Sequence, residues 1–234
     1  MGFFDSYPRF FETSNTGASP NRLNKRHEAI FETVPDLFVG TRVLDIASHD
    51  GRWSFAALKA GASDVVGVEP RAHLVNNANQ TMQFYECDKR RFRFIQNDIF
   101  NWLQKAGERF DAVLCLGFFY HTYRHAEIMS LIKTCRPKVL VLDTVVHKAE
   151  GMLCLVGREL VAEEAHAMAE ESSYQGMTYV AHPTLALVKD YLTNYGFSFI
   201  EVDWRSLIKS DDNTNCVEDY ANGQRVTLIC HSND

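Results

Sequence analysis

The chain lacks the cysteine spacing of a disulfide framework or of a zinc site. Its six cysteines include no C-x-x-C pair, and Cys115 lies inside an apolar run, where a thiol behaves as a small hydrophobic group. Closely spaced cysteines are the usual signature of stapled secreted domains and of zinc sites. We therefore expect free thiols, a reducing cytoplasmic compartment and no bound metal.

Long apolar runs are also missing. No stretch of roughly 18 or more apolar residues occurs, so we expect no membrane-spanning helix. The first residues, MGFFDSYPRFF, lack a basic segment followed by a long apolar one, so we expect no secretory signal.

A positive net charge is absent as well. The formal net charge is −6 at pH 7, and a general nucleic-acid binder needs a basic surface. One basic cluster, Lys89, Arg90, Arg91 and Arg93, is interpreted as the solvated end of a helix that runs into a strand. Nucleic acid is therefore not the expected partner, and the sequence leaves a homo-oligomer open.

Short apolar runs are abundant, and helical segments separate them. Apolar residues make up 46% of the 234 positions, enough for one sizeable α/β domain. The predicted strands cover residues 41–47, 64–70, 92–98, 110–119, 137–146, 197–204 and 225–230. The predicted helices between them cover residues 51–62, 72–85, 99–107, 125–135 and 183–197. This alternation predicts a seven-stranded, mostly parallel sheet with helices on both faces and an antiparallel C-terminal hairpin.

Two segments depart from the alternation. Residues 1–40 form an N-terminal arm, with an amphipathic helix predicted over 21–34, and we expect the arm to cover the site of the main domain, residues 41–234. Residues 147–182 hold a predicted helix over 157–171 and are interpreted as a lid-like insertion. The plainer alternative is that the aromatic side chains of the arm only pin it to the core.

The stretch VLDIASHDG, residues 43–51, occupies the usual ligand position of a doubly wound sheet, the turn after the first strand. Asp45 closes the strand, Ala47 is small, and Asp50 and Gly51 lead into a helix whose first amides can face an anion. The second strand ends in Glu69 and Pro70, and Asp98 and Ile99 stand where the third strand gives way to a helix. Alternatively, these acids are helix caps or solvated strand ends. Their joint spacing favours an adenosine ligand.

These motifs resemble those of class I S-adenosylmethionine (SAM)-dependent methyltransferases, over roughly residues 40–204 and weakly in the last strand. The glycine-rich first motif stands here as Asp45-Ile46-Ala47-Ser48-His49-Asp50-Gly51. The resemblance implies a Rossmann-like fold, SAM as cofactor, Glu69 at the ribose, and Asp98 and Ile99 at the adenine. The resemblance also implies that Ala47, Ser48, His49, Gly51, Pro70 and Gly117 lie along the cofactor.

Two of the three motif glycines are replaced, by Ala47 and His49. The His49 ring contacts the methionine end of the cofactor, points away from it, or blocks it, and the sequence leaves these alternatives open. Cofactor affinity is therefore more in question than the fold.

The segment after the fourth predicted strand, GFFYHT, supplies the best general base, because an oxygen nucleophile must lose a proton. We expect His121 to take that proton and Tyr120, Asp143 and His147 to contact the acceptor. The alternative for His121 is a histidine that hydrogen-bonds backbone at a strand end.

The sequence therefore predicts a SAM-dependent methyltransferase acting on an oxygen or nitrogen of a small molecule, such as a sugar, a glycan or a natural-product intermediate. One alternative is a SAM-fold binding or scaffold protein without catalysis, which the missing glycines favour. The other is a tRNA-modifying enzyme, because GFFYHT faintly resembles enzymes that modify the wobble uridine.

Overall fold

Two sheets form the framework of the computed structural model, which describes residues 1–13, 19–160, 173–208 and 214–234. The larger sheet has seven strands in the order β3-β2-β1-β4-β5-β9-β8. Its strands are β1 (Arg42–Ile46), β2 (Asp64–Glu69), β3 (Phe92–Gln96), β4 (Ala112–Leu116), β5 (Val139–Val145), β8 (Phe197–Glu201) and β9 (Arg225–Ser232). The smaller sheet pairs β6 (Cys154–Leu160) with β7 (Met177–Pro183).

The first five strands of the larger sheet run parallel, and β9 is antiparallel to both β5 and β8. The predicted mostly parallel sheet with an antiparallel C-terminal hairpin is confirmed. Strand order reverses direction between β1 and β4, so the carboxyl ends of these strands form the crevice where such sheets bind ligands.

Helices cover both faces of this sheet. They are α1 (Arg9–Thr13), α2 (Pro20–His27), α3 (Arg52–Lys59), α4 (Ala72–Phe84), α5 (Ile99–Ala106), α6 (His125–Thr134), α7 (Leu185–Asn194), α8 (Trp204–Leu207) and α9 (Glu218–Ala221). Side chains of Ser19, Asp98 and Thr184 accept backbone N–H groups and so fix the starts of α2, α5 and α7. Within the described ranges, no helix has both the length and the apolar content that a membrane crossing requires.

Each face of the sheet carries its own apolar core. Leu44, Val66 and Leu140 pack on one face with α5, α6 and α7. Val43 and Val141 pack on the other with α3 and the N-terminal arm. Strands buried on both faces explain why the sequence shows continuous apolar runs rather than strict alternation.

The N-terminal arm is anchored mainly by aromatic packing. Phe4 and Phe10 are fully buried, and Phe3 stacks on His27 with ring centroids 3.9 Å apart. Burial lowers the pKa of His27 to about 4. The helix predicted over 21–34 is present as α2, which continues into a π-helix over Glu28–Glu32. This packing fits the alternative in which the aromatic side chains pin the arm to the core.

The helix predicted over residues 157–171 is wrong at its start, because residues 157–160 belong to β6. The rest of that prediction, 161–171, lies outside the described residues. β6 pairs with β7 from Cys154 opposite Pro183 to Leu160 opposite Met177, so long-range pairing overrides the helical preference of the local sequence.

A buried carboxylate, Asp143, joins the two ends of the chain to the centre of the sheet. Its Oδ1 accepts from Arg26 Nη2 at 3.1 Å and from Arg225 Nε at 2.7 Å, and its Oδ2 accepts from Tyr220 Oη at 2.8 Å and Thr227 Oγ1 at 2.7 Å. Burial opposes ionisation, but the two guanidinium groups and the two hydroxyls lower the pKa of Asp143 to about 2. The predicted contact of Asp143 with an acceptor does not fit this placement, because its oxygens already bind these donors.

Replacing Asp143 by Asn is expected to lower the free energy of unfolding by about 3–5 kcal/mol, because two buried guanidinium groups would lose their carboxylate. Urea titration followed by circular dichroism measures the change. Asp88→Asn is the control, since Asp88 pairs with Arg90 at the surface, and its stability should stay at the wild-type value. Equal stability of the two variants would contradict the structural role of Asp143.

Candidate functional site

The turn after β1 keeps the backbone of a glycine-rich loop although two glycines are gone. Ala47, His49 and Gly51 have φ angles of 52°, 51° and 78°. A residue with a Cβ pays roughly 1–2 kcal/mol for this left-handed conformation, and His tolerates it better than most. The replaced positions therefore retain the loop shape at a cost in stability.

Asp45 lies beneath this turn. It is 1% exposed, and Ser54 Oγ donates to its Oδ2 at 2.6 Å. Burial raises the pKa of Asp45 to about 7, although the hydrogen bonds from Ser54 and the charge of Arg52 oppose the rise. A carboxyl poised near neutrality can gain a full negative charge when a cation approaches it.

The His49 ring turns toward the protein. Arg52 Nη2 donates to His49 Nδ1 at 2.7 Å, and Nδ1 lies 3.7 Å from Asp50 Oδ1. Arg52 Nε and Thr13 Oγ1 also donate to Asp50, at 2.7 Å and 2.8 Å. Burial is the main cause of the lowered pKa of His49, whereas Arg52 and His49 hold the pKa of Asp50 well below its ordinary value despite burial. This network ties the turn to the N-terminal arm.

Ser48 and Gly67 bring the turn close to β2. A Cβ on Gly67 would stand 2.7 Å from Ser48 Oγ and 2.5 Å from the Phe94 ring. Ser48 is 1% exposed, and its hydroxyl has no hydrogen-bond partner in the described part of the chain. Gly67 was not predictable as a site residue, because its only signal in the sequence is a glycine inside a buried strand.

Glu69, at the end of β2, is fully buried beside the same turn. Its Oε2 accepts the backbone N–H of His49 at 3.1 Å. Its Oε1 accepts the backbone N–H and the Nε of Arg71, at 3.1 Å and 2.7 Å. A carboxylate has about four lone-pair directions, and these bonds use three of them. Pro70, which is half-buried, separates Glu69 from Arg71. The pairing of Arg71 with Glu69 has no signal in the sequence.

Asp98 accepts the backbone N–H of Asn101 at 3.1 Å, which makes it the N-cap of α5, and Ile99 behind it is 4% exposed. The helix-cap alternative therefore describes the Asp98 side chain in this structure. A contact of Asp98 and Ile99 with an adenine stays a prediction.

The second half of the site lies after β4. Gly117 has a φ of 102°, and a short 3-10 helix over Phe119–His121 follows it. His121 Nδ1 lies 3.1 Å from Glu159 Oε2 of β6, and both side chains are less than one fifth exposed. The pair matches a base that a carboxylate orients. Glu159 was missed because its segment has a helical pattern.

Other polar rings gather around this pair. The Tyr120 ring lies 4.1 Å from that of His121 and 5.8 Å from that of His182. The backbone N–H of His147 donates to Pro183 O at 2.9 Å, which fastens the end of β5 to the β6–β7 hairpin. Burial lowers the pKa of His182, and the neighbouring His121 and His147 act in the same direction, against Glu159.

The structure thus brings His121, His147 and Tyr120 together, whereas the carboxylate of Asp143 is occupied by its own donors. Among the residues that the structure describes, no group of three or more His, Cys, Asp or Glu has a metal-binding arrangement. The site offers aromatic rings, a hydroxyl and imidazole groups, which are chemically able to bind a polar molecule and to accept a proton from it.

The sequence is similar to known proteins in two comparisons. Residues 43–139 match the family model described as a methyltransferase domain. The tRNA U34 carboxymethyltransferase of Pseudomonas putida (strain GB-1) is 29% identical over 163 residues, which cover 68% of this chain and 46% of that protein. The chain thus spans about half the length of this relative.

Solved structures share the fold. An S-adenosylmethionine dependent methyltransferase from Mesorhizobium loti aligns with a TM-score of 0.61 and 14% identity, over 89% of this chain and 99% of that one. Magnesium protoporphyrin IX methyltransferase from Synechocystis PCC 6803, with bound SAM, aligns with a TM-score of 0.59 and 17% identity, over 98% and 90% of the two chains. The family match and the strand order lead to one conclusion: residues 43–139 are a methyltransferase domain, and the sheet around them has the class I, Rossmann-like fold of SAM-dependent methyltransferases.

Proposed function

We propose that this protein binds SAM at the turn after β1 and transfers its methyl group to an oxygen or nitrogen of a small molecule. The observation that carries the proposal is the left-handed backbone at Ala47, His49 and Gly51, which preserves the loop where glycines have been lost. The buried carboxylates Asp45 and Glu69 flank this loop. They suit the ammonium group and the ribose hydroxyls of SAM, because a carboxylate accepts from both.

When bound, SAM supplies an activated methyl group. The side chains of this chain then have to align the acceptor and remove its proton. We propose that His121 accepts that proton, and the support is the contact of its Nδ1 with Glu159, which would orient the ring. His182 and Tyr120 flank the pair, and we propose that the insertion over 147–182 acts as a lid that excludes water.

A small hydroxylated or nitrogenous acceptor fits this half of the site best, such as a sugar, a glycan or a natural-product intermediate. The support is the β6–β7 hairpin, whose Glu159 and His182 stand against the turn after β4. The described cysteines are free, which supports a cytoplasmic setting.

A tRNA acceptor is the second candidate. The similarity to a tRNA U34 carboxymethyltransferase favours it, whereas the net charge of −6 opposes it. A SAM-fold protein without catalysis is the third candidate, favoured by the replacement of two motif glycines by Ala47 and His49.

Transfer of radiolabelled methyl groups from SAM to small hydroxylated compounds and to tRNA separates the three candidate functions. Labelling of neither acceptor, together with no SAM binding at millimolar ligand, would support the third.

Glu69→Gln is expected to raise the dissociation constant of SAM about tenfold to a hundredfold, because hydrogen bonds to a charged acceptor are lost. Isothermal titration calorimetry measures this change. Glu201→Gln is the control, since Glu201 lies exposed on the edge strand β8 and pairs with Lys189. Wild-type affinity in Glu69→Gln would rule out the ribose contact.

SAM affinity should increase as pH rises to about 7 and level off above it, because Asp45 has a pKa of about 7. Below that pH the carboxyl is protonated and neutral, and ionising it costs about a factor of ten per pH unit. Titrations in buffers of different ionisation enthalpy should therefore show proton release on binding at acidic pH. Asp45→Asn should bind SAM weakly and lack this dependence. An identical pH profile in both proteins would contradict the assignment.

His121→Ala should lower turnover about 10²–10⁴-fold, the usual contribution of a general base, and leave the SAM dissociation constant unchanged. Glu159→Gln should lower kcat less and keep KM, since it only loosens the orientation of the ring. Both are measured on the acceptor that the wild type methylates. Equal loss of SAM affinity and turnover in His121→Ala would make His121 a cofactor or structural residue.

A further inference from the structure

The buried network around Asp143 carries more positive than negative charge. Two guanidinium groups, of Arg26 and Arg225, share this one carboxylate. The adjoining Arg22 is matched by Asp219 in a two-pronged pair at 2.7 Å. One positive charge is left over in a region shielded from water, and such an imbalance is costly unless an anion joins it.

Arg26 is the incompletely satisfied member of the network. It is 5% exposed, and its Nε has no hydrogen-bond partner within the described residues. The Trp53 ring, 5.0 Å from Cζ, covers one face of the guanidinium and offers only a weak compensation.

Arg225, one of the two guanidinium groups, lies at the edge of the sheet that holds the candidate site. It pairs with Val145 at the carboxyl end of β5. A Cβ on Gly117 would stand 3.1 Å from Arg225 Nη2, and the Tyr120 ring centroid lies 5.4 Å from Cζ. The Tyr120 ring also lies 4.1 Å from the ring of His121, which is hydrogen-bonded to the carboxylate of Glu159. The excess positive charge therefore borders the turn assigned to the acceptor.

We propose that the acceptor carries an anionic group, a carboxylate or a phosphate, which binds beside Tyr120 against the guanidinium groups of Arg26 and Arg225. This inference rests on the proposed function and narrows its substrate class. Guanidinium groups match such anions in charge and in planar hydrogen-bond geometry, and the anion would balance the buried charge.

The first test uses simple anions on protein saturated with S-adenosylhomocysteine (SAH), whose own carboxylate is then already bound. Acetate and inorganic phosphate are compared with chloride at equal ionic strength. At least one should raise the melting temperature of the wild type by about 3 °C more than chloride does. No rise above chloride with either anion would overturn the proposal. The same anions are also compared on protein without SAH. If the protein fails to bind SAH, the proposed function is wrong, and the comparison without SAH still tests whether an anion binds.

Arg26→Gln should abolish the response to the anions. This variant leaves Asp143 paired one-to-one with Arg225, so it is expected to fold, which its circular dichroism spectrum checks. Arg205→Gln, on the exposed start of α8, is the control and should respond as the wild type does. An undiminished response in Arg26→Gln would overturn the proposal.

The second test separates the two kinds of anion by titrating glycerate, glycerol phosphate and neutral glycerol into SAH-saturated protein. At least one anion should bind about tenfold or more tightly than glycerol, and the better one identifies the group. Glycerol binding as tightly as both anions would overturn the proposal. So would an Arg26→Gln variant that loses SAH affinity, since the anion would then be the carboxylate of the cofactor.

Discussion

The ionised carboxylate of Asp143 is the interaction on which the arrangement of the chain depends. It lies in β5, next to the central strand β4, yet its donors come from α2 near the start of the chain and from α9 and β9 near its end. A buried carboxylate is tolerated only when its lone pairs are filled, so folding β5 requires both ends of the chain to be in place. The position of Arg225 beside Gly117 and Tyr120 follows from the same requirement.

The sheet was predictable because its strands are buried on both faces and its helices are locally amphipathic. The β6–β7 hairpin was not predictable, because the local sequence GRELVAEEAHAMAEE favours a helix. Only pairing with β7, more than a dozen positions away, makes β6 a strand. Asp143 was misread for a related reason. An acid at the end of a strand looks like a ligand contact, and its partners Arg26 and Arg225 lie 117 and 82 positions away.

The turn after β1 shows how a motif can change residues without changing shape. The backbone angles at Ala47 and His49 stay in the region that glycine prefers, and the strain is offset by contacts that a glycine cannot make. The His49 ring joins Arg52 and Asp50, and Asp50 in turn holds Thr13 of the arm. In this structure the His49 ring turns toward Arg52 and Asp50, and its position relative to a bound cofactor stays a prediction.

The two halves of the site draw on different parts of the chain, and only one half lies wholly within the region that is similar to known methyltransferases. The half formed by β1, β2 and their turns lies inside the region that matches a methyltransferase domain, residues 43–139. The other half takes Tyr120 and His121 from the same region, but it also draws on Glu159 and His182 of the β6–β7 hairpin and on Arg225 of β9, which lie beyond it. Relatives that share the first half therefore indicate the donor of the methyl group. The acceptor has to be inferred from the charges and rings of this chain itself, and the unbalanced guanidinium groups are the most specific of these features.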